Sequence, residues 1–464
     1  MSMCRPIKED AGGKASPSSF RYKFISIAVL LLSVSIGVFI KSIPAAHNSN
    51  RPIPVEAVPL WQTSELHWFV RYFAGYLIGK LAHVGQLLKC PTTVDWQNET
   101  EANEAKACMN PVRANIEKDD DGMVDLNAMF DVQVIDIPRN DGKDSSPVHV
   151  TLLKKKKSSS AASATNSDNA APLVLYMHGG GFTVRGVKKT FAAEMFRYLL
   201  QLGGEDEIAD NSLPSFMDDA VWAIVDYRLA PEHLYPAATD DCLLALNYLV
   251  KDMNLGRGGI HINGISAGAT IAMEVTLKSL DMNIDTFYVD EPVVPFPSKD
   301  GNQRSWSLDS NSFRRYSYTR VPPVDWVEWS LKAMTGMDTN HDLESGIPYG
   351  MIQTDVDITG GATDVAKWKM SFDESNATQL PRLFLITAHG DPLMDGGKYF
   401  KRVYEDVIKL VEAEAPSGAN SQPQIKYVES FAGHTLHLFL ERSLFGDNMR
   451  EWYAEMKRAY HRKL

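Results

Sequence analysis

From residue 173 onward, short apolar runs alternate with longer stretches of helical spacing. The runs at 173–177, 221–225, 260–263, 286–289 and 383–387 are four or five residues long and rich in Leu and β-branched side chains. Near-continuous apolar runs of that length read as strands covered on both faces. Helical spacing follows at 236–250, 267–280 and 397–412. The alternation predicts an α/β fold with a mostly parallel central sheet and helices on both faces. Residues 424–428 supply a further strand, and residues 130–137 and 148–153 two more, joined by the turn Asn140-Asp141-Gly142. The rhythm breaks between 297 and 380, a stretch expected to form, in part, a helical cap.

The N-terminal region has another pattern. Residues 24–40 carry no charge, and as a helix they would span roughly 26 Å at about 1.5 Å per residue, the short end of what crosses a bilayer. Ser42 and Ile43 extend the segment. Arg5, Lys8, Lys14, Arg21 and Lys23 precede it, whereas only Lys41 and Arg51 follow closely. The positive-inside rule predicts a cytoplasmic tail at 1–23, a transmembrane signal anchor at 24–43 and a translocated body, lumenal or extracellular, with the endoplasmic reticulum the membrane expected. A cleaved signal peptide and a secreted body are the alternative. Residues 44–125 read as a linker with amphipathic helices over 60–88 and a polar, acidic loop over 91–111. The main α/β domain is expected over 126–464, with residues 154–171 a disordered Lys-, Ser- and Ala-rich insert. Two sequons, at Asn98 and Asn376, agree with a lumenal body.

Composition narrows the partners. With 464 residues, 44% of them apolar, the chain can bury a large core. A net charge of −11 gives nothing to neutralise a phosphate backbone, so no nucleic-acid partner is expected. Four cysteines are too few for a disulfide scaffold; Cys90 and Cys108 form either a disulfide or two thiols. The acidic run at 117–122 would need a bidentate Glu where Ala128 stands to hold calcium, and no metal or cofactor is expected.

The chemistry concentrates in glycine-rich turns after the predicted strands. Gly264-Ile265-Ser266-Ala267-Gly268 follows the strand at 260–263 and opens a helix. Acyl transfer needs a hydroxyl at the tip of such a turn, with small residues on both sides so that the strained backbone can form. His178-Gly179-Gly180-Gly181 directly follows the strand at 173–177. Its amides, with that of Ala267, are placed to hold an oxyanion on Gly180, Gly181 and Ala267, while His178 and Gly179 support the turn. A phosphate cradle would want a Lys and a Ser or Thr at the end of the loop, and neither is present. Ser266 needs a base, and the base an acid. Asp391 follows the strand at 383–387, and two histidines, His434 and His437, follow the strand at 424–428.

These segments resemble the hormone-sensitive lipase family of α/β-hydrolases, arylacetamide deacetylase-like esterases included. The matching motifs are HGGG at 178–181, YRLAPE at 227–232, GxSAG at 264–268, DPL-x-D at 391–395 and H-x-F at 437–439. The resemblance covers roughly residues 125 to 464 and implies a serine carboxylic-ester hydrolase with a Ser266, Asp391 and His437 triad. It also implies a small apolar ester or lipid substrate reaching the site from the membrane. His437 is preferred because Phe439 keeps the family spacing; His434, directly after Gly433, is the second choice. The chain departs from the family at Ile265 and Ala269, where an Asp and a Gly are usual. A non-catalytic ligand receptor on the same scaffold, as in plant gibberellin receptors, is the rival expectation.

Overall fold

The computed structural model describes residues 84–118, 130–139, 146–156, 171–184, 220–294, 296–297, 306–307, 310–316, 322–336, 362–375, 379–414, 425–430 and 434. The anchor expected at 24–43, the sequon Asn376 and His437 lie outside these residues. Among the described residues no helix is long and apolar enough to cross a membrane.

Eight strands form one sheet: β1 (Phe130–Ile137), β2 (Val148–Lys155), β3 (Leu173–Met177), β4 (Val221–Asp226), β5 (Ile260–Ile265), β6 (Thr286–Asp290), β7 (Arg382–Ala388) and β8 (Ile425–Ser430). Their spatial order is β1-β2-β4-β3-β5-β6-β7-β8, antiparallel at β1–β2 and β2–β4 and parallel elsewhere. Every residue of β3, β5, β6 and β7 is buried, as continuous apolar runs require. The edge strand β1 buries only its two ends. β2 reaches two residues into the stretch expected to be a disordered insert, because Lys154 and Lys155 pair with Asp131 and Phe130.

Around the sheet lie α1 (Val84–Leu87), α2 (Glu99–Lys118), α3 (Ala237–Asn247), α4 (Ala267–Lys278), α5 (Asn311–Arg315), α6 (Val324–Thr335), α7 (Ala362–Ser375) and α8 (Met394–Glu414). Helix α2 corrects the loop expected at 91–111. Polar composition masks it, but Ala102, Ala105, Met109 and Val112 recur at helical spacing and are buried. Asn98 caps it, its Oδ1 accepting from the Thr100 amide at 3.1 Å, and Glu99 and Glu101 lie in the first turn, where negative charge suits the helix dipole. Cys108 of α2 is disulfide-bonded to Cys90, and the Trp329 Nε1 of α6 donates to the Cys90 carbonyl at 3.1 Å.

Among the described residues of the stretch from 297 to 380, helices α6 and α7 lie in different places. Helix α6 lies over the glycine loop that follows β3, so that a Cβ on Gly181 would stand 2.9 Å from both Trp326 Cζ2 and Ser330 Oγ. Helix α7 belongs to the body instead. Its Trp368 is fully buried among Phe287 of β6 and Phe400 and Tyr404 of α8, with the Tyr404 ring edge-on at 5.2 Å. Pairs of this kind add about 0.5–1.5 kcal/mol each beyond their buried area.

The segment Tyr227–Glu232 is a structural junction. Arg228 donates to buried Asp241 at 3.0 Å, and Arg139 reaches the same carboxylate at 2.8 Å. Arg113 of α2 pairs with Glu232 and donates to the carbonyls of Thr183 and Ala230, both at 2.8 Å. Three chain segments far apart in sequence are thereby tied together beside the glycine loop.

Candidate active site

Sheet register brings the chemistry together. Met177 pairs with Gly264, so the turns leaving β3 and β5 emerge side by side. Ile265 pairs with Asp290, Asp290 with Ile386, and Ala388 with Ser430, which sets the ends of β6, β7 and β8 in the same row. The chain leaves β3 toward β4 on one side and returns to β5 on the other, and that switch point at the carboxyl ends of the strands is where α/β sheets bind ligands.

Ser266 sits between β5 and α4 with φ +53° and ψ −120°, a conformation that side-chain-bearing residues seldom adopt. Its amide donates to the Asp290 carbonyl at 2.7 Å. The sharp turn exists because its neighbours are glycines. A Cβ on Gly264 would stand 2.1 Å from the Gly268 carbonyl oxygen, and one on Gly268 2.2 Å from that of Met177. Ile265, where the family usually has Asp, directs Cγ2 against Gly179, 2.9 Å from where a Cβ would be. It replaces polar support of the elbow with an apolar contact to the glycine loop.

That loop is held from behind. The Tyr227 hydroxyl donates to the His178 carbonyl at 2.6 Å, and the two rings stack with centroids 4.3 Å apart. Gly180 and Gly181 take φ of +122° and +60°, and the amides of Thr183 and Val184 both donate to the Gly180 carbonyl. Gly179 lies against the elbow, since a Cβ there would be 3.3 Å from Ser266 Cβ.

The ring that reaches Ser266 is His434. Its Nε2 lies 3.0 Å from Ser266 Oγ, and its Nδ1 2.8 Å from Asp391 Oδ2. Sequence spacing favoured His437 for this place. The structure gives the place to His434 instead, because one imidazole spans the gap between serine and aspartate and both of its nitrogens are already engaged there. Asp391 is fixed in turn: its Oδ1 accepts from the Leu393 amide at 2.9 Å. Asp395, the second acid of that motif, accepts from the Ser312 amide at 2.8 Å and so fastens α5 rather than the triad.

One residue escaped sequence reading altogether. Glu291, directly after β6, places Oε2 3.1 Å from His434 Nδ1 and is buried. No motif marks it. The sole sequence signal was an acidic residue at the carboxyl end of an apolar strand. Burial works against a charged ring at His434, but the carboxylates of Asp391 and Glu291, the hydrogen bond from Asp391 and the charge of Asp290 outweigh it and raise its pKa above the ordinary value. Glu291, Asp391 and His434 also present three ligand atoms within 4.8 Å of one another. A cation there would need the Nδ1 lone pair, which is absent when Nδ1 carries the proton shared with the carboxylates, so the arrangement suits proton transfer.

The family model for the alpha/beta hydrolase fold matches residues 215–419. That match and the sheet order show the α/β-hydrolase fold. The matched span holds Ser266, Glu291 and Asp391, and the glycine loop and His434 flank it. The chain is 23% identical over 264 residues to 3-O-acetylpapaveroxine carboxylesterase CXE1 of Papaver somniferum, a match covering 54% of the chain and 71% of that protein. It is 29% identical over 239 residues to CXE2 of the same plant, covering 48% and 64%. The gibberellin receptor GID1A of Arabidopsis thaliana is 25% identical over 259 residues, covering 52% and 69%. The chain thus spans about two-thirds of the length of these curated relatives.

Proposed function

We propose that this α/β-hydrolase is a serine carboxylic-ester hydrolase, acting on a small apolar ester. The observation that carries the reading is the buried relay from Ser266 through His434 to Asp391, at 3.0 and 2.8 Å. His434 Nε2 takes the Ser266 proton as Oγ attacks the ester carbonyl carbon. The resulting oxyanion is held by the amides of Gly180, Gly181 and Ala267. The imidazolium, steadied by Asp391, then gives its proton to the leaving alkoxide, and the alcohol departs from an acyl-enzyme. Water, deprotonated by the same ring, attacks the acyl carbon and frees Ser266. Likeness to the two poppy carboxylesterases supports this class of substrate.

The full chain in detergent micelles is expected to hydrolyse nitrophenyl esters, with a preference visible across a series of acyl lengths, and to be labelled by a fluorophosphonate on the peptide containing Ser266. A folded protein that neither turns over nor labels would favour a second reading, a ligand receptor, for which the likeness to GID1A speaks. The histidine in contact with Ser266 speaks against it.

We also propose that residues 24–43 anchor the protein, with the body lumenal. The uncharged run and its unequal basic flanks support this, as does the Cys90–Cys108 disulfide, a bond typical of oxidising compartments. In sealed microsomes, protease added outside should trim the N-terminal tail and spare the body. Digestion of the body would refute the orientation.

A further inference from the structure

We propose that Glu291 is a second positioning carboxylate on the catalytic base, sharing with Asp391 the proton on His434 Nδ1. The inference rests on the ester-hydrolase reading and deepens it. The strands explain how two acids reach one ring. Asp391 follows β7 and Glu291 follows the neighbouring β6, and the Glu291 amide donates to the Ile386 carbonyl at 3.0 Å, tying the second acid to the strand that carries the first. Glu291 holds a φ of +50° immediately before Pro292, a backbone state that side-chain-bearing residues seldom take. In that state its Oε2 stands 3.1 Å from His434 Nδ1, against 2.8 Å for Asp391 Oδ2. Both acids are sealed from water, so their charges act on the ring with little screening.

The chemistry is a forked hydrogen bond. When Ser266 attacks, its proton moves to His434 Nε2 and the ring becomes an imidazolium. The Nδ1 hydrogen then lies between two oxygens, from Asp391 and Glu291, and no proton need leave it. Asp290, whose carbonyl receives the Ser266 amide, adds its carboxylate to the field on the same ring. Glu291 touches neither substrate nor serine hydroxyl; it acts through His434.

Removing its charge should do two things at once. Glu291→Gln is expected to lower kcat on a short nitrophenyl ester about tenfold with KM little changed, part of the roughly 10²–10⁴ that general-base assistance supplies. Activity requires the neutral ring, and Glu291 favours the charged ring, so the acid limb of kcat/KM should move to lower pH in the variant. Glu291→Asp should restore part of both effects. Wild-type kcat in Glu291→Gln, or a lower kcat with the acid limb unmoved, would overturn the proposal.

Asp391→Asn tests it from the other side and does not depend on Glu291→Gln folding. With a second acid on the ring, Asp391→Asn should retain about 1% of wild-type kcat, whereas losing the acid of a triad commonly costs about 10⁴. A fall of about 10⁴ or more, the ordinary cost without a second acid, would overturn the proposal. Failure of the hydrolase reading itself is distinct, since wild-type protein would then show neither turnover nor fluorophosphonate labelling.

Discussion

Ser266→Ala and His434→Ala are each expected to lower kcat on nitrophenyl esters by about 10⁵-fold or more, while His437→Ala stays near wild type. Losing either the nucleophile or its base from such a relay commonly costs about 10⁶, because the two act as one unit. The geometry makes the comparison between histidines sharp. His434 contacts Ser266 and Asp391 at 3.0 and 2.8 Å, so a second ring has no place in the same relay. The double variant Ser266→Ala/His434→Ala should be no worse than either single one. If His437→Ala abolished turnover and His434→Ala did not, the base would be misassigned.

Gly180→Ala is expected to lower kcat by about 10²–10³, the usual cost of losing one oxyanion donor. Two independent features oppose the substitution. Gly180 has φ +122°, and an added Cβ would lie 2.2 Å from the Val184 carbonyl oxygen, which belongs to the same tight turn. The backbone must therefore move, and with it the amides facing the Ser266 elbow. The strain amounts to about 1–3 kcal/mol, enough to shift Tm by a few degrees without unfolding so large a chain. KM should change less than kcat, because the lost contact is made in the transition state. A variant with wild-type kcat would show that these amides are not used.

The sheet was legible because parallel strands covered on both faces leave continuous apolar runs, and the turns carrying Gly179, Gly180, Gly181 and Ser266 were legible because their chemistry is contiguous in sequence. Residues that meet only through register were harder. His437 keeps the following Phe of a family motif while His434 stands directly after Gly433, and a three-residue choice is settled by distance to Ser266 rather than by local pattern. Glu291 has no local pattern; it matters because β6 lies next to β7. Helix α2 was obscured for another reason. Its buried face includes two alanines, whose low apolar bulk scarcely registers among Glu, Asn and Lys.

Arg113 moves the edge of the functional unit. The family resemblance begins near residue 125, and a boundary drawn there would discard α2 as a linker. Yet the guanidinium of Arg113 binds Glu232 and the carbonyls of Thr183 and Ala230, next to the loop that faces the elbow. A fragment starting at 126 would leave that carboxylate and those carbonyls to water, in a groove where the apolar side of α2 had lain. The unit that carries the glycine loop therefore includes α2, and the stretch ahead of the motifs is part of the fold rather than a leash.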